Sequence, residues 1–286
     1  MPTSNAARQH VYRLALYGVR SSGKTCILSA LSIPRVAHPE GLSCSWIENV
    51  PGHPLPSGDP SSWTTRDPYH IGWQWLSEQR KRLRSGDIPA PNPNRDPMRF
   101  LFDFGSPDHG TRHIELIDYS GELITASASE LAATLREHMR ECDGLLILAE
   151  APRPNGDHTP LTDDLDKLAG AFRTLLNERG EAPRHEWPIA MLFNKWDRRT
   201  NANDEGDGDA ADSLGEFLGQ SPPPPHSALL DTIRNAVGSD NAYSFPVSAF
   251  GSHAIRDDGK EVPLLNDGRL QSFALEDGFV WVAQQC

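Results

Sequence analysis

Apolar positions along the chain fall into two alternating kinds of stretch. Short apolar runs at 11–17, 144–149, 189–193 and 243–247 read as strands, and the uninterrupted run at 144–149 suits a strand buried on both faces. Between them, apolar residues recur at helical spacing from Cys26 to Leu31 and over 71–83, 131–142, 161–176, 227–237 and 275–285. Thr162 is the expected N-cap of the helix at 161–176, and the first helix must stop before Pro34. Two further runs, 98–104 and 112–117, are joined by a turn too short for a crossover helix, so they pair antiparallel. Strands alternating with helices predict an α/β fold, with a mostly parallel sheet and helices on both faces.

Other stretches carry no sustained period. Residues 34–68 are dense in Pro, Gly, Ser and His and open a long insertion, 34–97, that also holds the helix at 71–83 and the stiff run Ile88-Pro89-Ala90-Pro91-Asn92-Pro93. The aromatics of that helix are expected to pack on the sheet rather than on a ligand. Segment 200–211 is acidic and rich in Gly and Asn, as a mobile loop is, and 253–269 reads as a polar loop. One domain spanning 1–286 is expected.

Composition narrows the choice of partners. With 27 basic against 39 acidic residues the formal net charge is −12, so neither nucleic acid nor an anionic membrane is the expected partner. Cys26, Cys44, Cys142 and Cys286 show no paired spacing, which suits free thiols in a reducing cytoplasm. No apolar leader or membrane-length run is present, and Cys286 does not fit a lipidation pattern. His109 and His113 fall in a turn and a strand with no cluster to complete a metal site, so they read as surface histidines.

The chemistry begins at Gly18-Val19-Arg20-Ser21-Ser22-Gly23-Lys24-Thr25, which fits G-x-x-x-x-G-K-[ST] between the first strand and the first helix. Such a turn points successive backbone N–H groups, Cys26 included, into one anion-binding concavity at a helix N-terminus. Gly18 and Gly23 allow close approach, Lys24 would reach the β- and γ-phosphates, and the Thr25 hydroxyl would ligate Mg²⁺. Arg20 either leans over the phosphates or faces solvent, the usual habit of loop side chains.

Three more motifs stand at strand ends, where open parallel sheets bind ligands. The strand ending at 117 runs into Asp118-Tyr119-Ser120-Gly121-Glu122, placing a carboxylate for Mg²⁺ and the Gly121 N–H for a γ-phosphate oxygen. The strand ending at 193 runs into Asn194-Lys195-Trp196-Asp197. An aspartate in the plane of a guanine accepts from both N1–H and the exocyclic amine, a donor pair that adenine lacks, and such a site discriminates by roughly 10⁴. Asn194 would meet the N7 side and the Lys195 stem would lie along the ring. Ser248-Ala249, after the last strand, lets a backbone N–H approach the guanine O6.

Taken together, these four motifs resemble those of the Ras-like GTPases of the translation-factor-related (TRAFAC) class. The resemblance spans 18–249 and implies a P-loop NTPase fold with one reversed edge strand, GTP or GDP as ligand and Mg²⁺ as cofactor. Within that class, the helix around Trp75 to Leu83, the following Gly86-x-x-Pro89 and the closing Gly278-Phe279-Val280-Trp281-Val282 resemble bacterial double-GTPase or conflict-system proteins. That narrower resemblance implies a protein partner or further subunit and a part in bacterial defence or signalling.

Two departures bear on catalysis. Glu122 stands where Ras-like enzymes carry a water-orienting glutamine, and no threonine occurs in 88–97, where the switch threonine belongs. Asn92 and Asn94 stand nearest that place, while Thr64 and Thr65 lie beyond a helix. The expected function is a guanine-nucleotide switch hydrolysing GTP slowly or with a partner's help, Glu122, Lys24 and Gly121 being the candidate catalytic residues. The rival is a catalytically silent GTP/GDP-binding module that docks a partner through 34–97. ATP hydrolysis is disfavoured by Asp197.

Overall fold

The computed structural model describes residues 10–19, 22–90, 92, 97–118, 141–152, 159–179, 187–198, 224–251, 253–255, 261–263 and 265–286. Seven strands form one sheet: β1 (Val11–Tyr17), β2 (Ser43–Trp46), β3 (Met98–Ser106), β4 (Gly110–Asp118), β5 (Gly144–Glu150), β6 (Ile189–Asn194) and β7 (Ala242–Pro246). Their order is β2-β3-β4-β1-β5-β6-β7. All pairs from β4 to β7 are parallel, while β3 runs antiparallel to both of its neighbours. This is the mostly parallel α/β sheet of the P-loop NTPase fold, with a single reversed strand. That strand lies one place in from the margin, because β2 adds outside it. The period gave no sign of β2: it has four residues, Ser-Cys-Ser-Trp, and takes its place by pairing with β3.

Alternation along the strands sorts the core into two layers. Ala15, Tyr17, Leu145, Ile147, Ile189, Met191 and Phe193 face one side, packed with α3 (Thr159–Arg179) and α4 (Pro224–Val237). Leu14, Leu16, Leu146, Leu148 and Leu192 face the other, with α1 (Lys24–Leu31), α2 (Pro68–Arg84) and α5 (Asp277–Gln285). The helix α2 starts earlier than its apolar period suggests, because Asp67 caps the N–H of Tyr69 and Pro68 takes the first turn. Its aromatics pack on protein as expected: Trp75 lies 6.1 Å from Phe100 and Trp73 5.2 Å from Trp63.

Two expectations are corrected. Thr162 lies inside α3, which begins at Thr159, so it is no N-cap. The stretch 253–269, expected to be loop, holds two small antiparallel pairs, β8 (His253–Ile255) with β9 (Glu261–Pro263) and β10 (Leu265–Asn266) with β11 (Arg269–Leu270). Polar two- and three-residue strands carry no apolar run for a period to reveal. The loop expected at 200–211 and nearly all of the helix expected at 131–142 lie outside the described residues. None of the four cysteines forms a disulfide. His109 is exposed and His113 pairs with Asp103. Among the described residues no His/Cys/Asp/Glu cluster suits a metal, and no helix is long and apolar enough to cross a membrane.

One buried ion pair ties the start of the insertion to the last helix. Arg35 Nε donates to Glu276 at 3.1 Å, and the two side chains are 6% and 8% exposed. Arg35 also donates to the Ala30 carbonyl at 2.8 Å, covering the C-terminal end of α1. Removing one member strands a buried charge. Arg35→Ala should therefore cost about 3–5 kcal/mol in denaturant unfolding, and Arg35→Met with Glu276→Met should recover most of it. A loss below about 1 kcal/mol, the level of an exposed pair, would refute the assignment.

Candidate nucleotide site

Parallel pairing brings the carboxyl ends of β1, β4, β5, β6 and β7 to one edge of the sheet. Leu16 pairs with Asp118, Glu150 with Asn194, and Phe193 with Pro246. The predicted loop leaves β1 at that edge. Gly18 is buried, and a Cβ there would come within 2.5 Å of Ser22 Oγ and 3.0 Å of the Leu148 carbonyl. Gly23 turns the chain into α1 at φ +96°, a conformation that favours glycine. It has no room for a side chain either, since an added Cβ would lie 2.0 Å from Asn194 Nδ2. Arg20 and Ser21 lie outside the described residues, as do Gly121 and Glu122.

Lys24 is 8% exposed, and its ammonium donates to the carbonyls of Gly18 and, at 3.3 Å, Val19. Burial pushes its pKa down, with Asp118 acting in the opposite sense. Asp118, 1% exposed at the end of β4, accepts from Asn92 Nδ2 at 3.1 Å through Oδ2, while its buried Oδ1 has no hydrogen-bond partner among the described residues. Burial raises the Asp118 carboxyl to about 6, against the opposing pull of Lys24 and then Asn92. Ser22 Oγ and Asn194 Oδ1 are likewise buried without a partner among the described residues. Each such orphan costs about 1–3 kcal/mol, and three of them surround one loop. The Asp118 carboxylate oxygen and the half-buried Thr25 hydroxyl suit a hard cation, and the Ser22 hydroxyl is able to donate to an oxygen of a phosphate chain.

The second half of the site is a pocket of about 170 Å³ reaching from Gly23 and Cys26 to Asn194, Lys195, Asp197, Ser248 and Ala249. Asn194 donates from Nδ2 to the Ser22 carbonyl at 3.0 Å and so ties the pocket to the loop. Lys195 adopts φ +61°, an uncommon conformation for a residue with a side chain. Its ammonium pairs with Glu150 at the end of β5. Trp196 anchors the turn from beneath: it is 1% exposed and its N–H donates to the Val247 carbonyl at 3.2 Å. Asp197 accepts from the Ser248 hydroxyl, which in turn accepts from the Gly251 N–H at 2.9 Å. Ser248 is fixed further by exchanging two 3.0 Å backbone bonds with Phe273.

Four walls of the pocket escape a motif search: Ile88, Phe250, Val262 and Pro263. Phe250 directly follows Ala249 and was within reach of the sequence. The other three arrive from the segment after α2 and from β9, through packing that no local pattern reports.

No family model and no curated protein sequence matches the chain. Among solved structures it is similar to the signal recognition particle receptor SRb-GTP/SRX complex from Chaetomium thermophilum. The identity is 13% and the TM-score 0.42, over 85% of this chain and 93% of that one. It is also similar to a GTP-binding protein from the archaeon Sulfolobus solfataricus in complex with GDP. There the identity is 14% and the TM-score 0.39, over 96% of this chain and 53% of that one.

The raised Asp118 carboxyl gives a pH prediction for the nucleotide-free protein. A carboxyl at about 6 when folded and about 3.9 when unfolded holds more protons in the folded state between those values, so stability falls as pH rises through that window. At pH 7.5 the buried charge costs roughly 2–3 kcal/mol relative to its neutral form. Asp118→Asn should stabilise the nucleotide-free protein at pH 7.5 but not at pH 4, by urea unfolding at both. Equal effects at the two pH values would refute it.

Proposed function

We propose that this chain is a guanine-nucleotide-binding switch of the P-loop GTPase type, one domain with an insertion at 34–97, that hydrolyses GTP to GDP. One observation carries the reading: Asn194, Asp197, Ser248 and Ala249 line a single pocket that opens onto Gly23 of the phosphate loop. A base in that pocket would have its phosphates over the loop. Asp197, held by the Ser248 hydroxyl, would accept the paired donors of guanine. Adenine would leave that acceptor unmatched, a penalty large enough to set specificity.

Loop N–H groups from Gly18 to Cys26 would receive the phosphates, together with Lys24, whose ammonium exchanges the Gly18 and Val19 carbonyls for phosphate oxygens. Thr25 and Asp118 would hold Mg²⁺, which when bound neutralises charge on the β- and γ-phosphates. The Gly121 N–H would meet a γ-phosphate oxygen and Glu122 would orient the attacking water. A carboxylate accepts from that water but donates nothing to the transition state, so slow or partner-stimulated turnover follows. A trans arginine adds up to about 10⁵-fold in this chemistry. Free thiols and the acidic balance fit a cytoplasmic protein working beside a protein partner. The likeness to conflict-system GTPases suggests bacterial defence or signalling as the setting.

Asp197→Asn should weaken GTP about 100-fold or more by isothermal titration, since hydrogen bonds to a charged group contribute about 1.5–3 kcal/mol each. Unchanged GTP affinity would end the guanine assignment. Single-turnover cleavage with protein in excess tests the chemistry: GTP and not ATP should be cleaved, and Glu122→Ala should abolish it. Tight GTP binding without cleavage would leave the silent binding module.

A further inference from the structure

The segment that leaves α2 touches both ends of the site within five residues. Helix α2 closes at Gly86, which takes φ +77°, while the Asp87 N–H returns to the Arg82 carbonyl at 2.8 Å. Ile88 then lines the base pocket beside Cys26, Val262 and Pro263. At 38% it is one of four large apolar side chains left exposed among the described residues. Asn92 donates to Asp118 at the phosphate end. Between them the Ala90 N–H is held at 2.7 Å by the side chain of Gln79, itself 4% exposed within α2. A buried amide within α2 thus fixes the middle of a strap whose ends reach the base pocket and the Asp118 carboxylate.

We propose that Gln79 is a positioning residue through which α2 sets how long nucleotide stays bound, by holding Ile88 over the base and Asn92 on Asp118. This rests on the guanine-nucleotide reading of the site. The two ends act differently. Ile88 excludes water from the base whether or not a cation is present, whereas Asn92 fixes a carboxylate that matters only when Mg²⁺ is bound. Groups that hydrogen-bond a metal ligand typically change metal affinity about 10–100-fold when removed.

The test is release of a fluorescent GDP analogue chased by excess GDP, in Mg²⁺ and in EDTA. Ile88→Ala should release it about 5-fold faster in both media, the loss of a partly buried apolar contact. Asn92→Ala should release it about 10-fold faster in Mg²⁺ only. Gln79→Leu should accelerate release in both, with Gln79→Glu, which keeps the acceptor for Ala90, close to wild type. Wild-type release from Gln79→Leu, or acceleration that Gln79→Glu shares in full, overturns the proposal and leaves the site reading intact. Absence of GDP binding by the wild-type protein overturns the site reading, and this proposal with it.

Discussion

A missing methyl group joins the two halves of the candidate site. Asn194 sets its carboxamide into the space beside Gly23 and donates to the Ser22 carbonyl at 3.0 Å. A Cβ at Gly23 would fall 2.0 Å from the Asn194 nitrogen, so any other residue would push the loop and the β6 turn apart. With glycine there, the turn that would cradle phosphates and the turn that would read the base form one rigid piece. The backbone of Asn194 is held as well, its carbonyl accepting from the Ala151 N–H at 2.8 Å. The position of that one side chain therefore fixes the distance from base pocket to phosphate loop before any ligand arrives. Such preorganisation lowers the ordering cost of binding.

Rigidity of this kind is maintained against stability. Among the described residues Asp118 holds an unpaired buried oxygen, Ser22 and Asn194 hold two more, and Lys24 is buried against carbonyls rather than a carboxylate. Lys195 adds a left-handed backbone. Such features recur where local energy is conceded to function. The rest of the sheet offsets them, since β5 and β6 are buried along nearly their whole length on both faces. Net acidity makes the local arrangement matter more: with a chain charge of −12, attraction for a polyphosphate has to come from directed N–H groups, Lys24 and a cation.

What could be read from the sequence divides along a physical line. Strands β1, β5 and β6 announce themselves because each is paired on both sides and carries continuous apolar residues, as interior parallel strands need. Strand β7, at the sheet margin, shows only through the run Tyr243-Ser244-Phe245-Pro246-Val247. The motifs at their ends are legible because each is local, a few residues following one strand. Strand β2 is hidden because an edge strand buries one face at most and Ser43-Cys44-Ser45-Trp46 supplies no run. Ile88, Val262 and Pro263 are hidden for a different reason: they meet at the pocket only after α2 and β9 have packed, from positions more than 170 residues apart. The Lys195–Glu150 pair is hidden likewise, since 45 residues separate its members. Asn92 sits between these cases. Its place in the chain suggested it, and the structure shows it donating to Asp118.

The insertion then appears less as an appendage than as part of the sheet's construction. It enters past the Arg35–Glu276 pair, adds β2 beside β3 and returns over the sheet as α2, with Leu76 and Leu83 fully buried. A helix so anchored cannot shift without disturbing the core, while the segment after it is tied back to the helix by the Gln79 side chain at Ala90. Movement transmitted between α2 and the site would pass along that segment, which the Gln79–Ala90 bond and the end contacts of Ile88 and Asn92 position. A partner that grips the exposed side of α2 would therefore act on the site through a short, stiff, proline-bearing link rather than through the sheet.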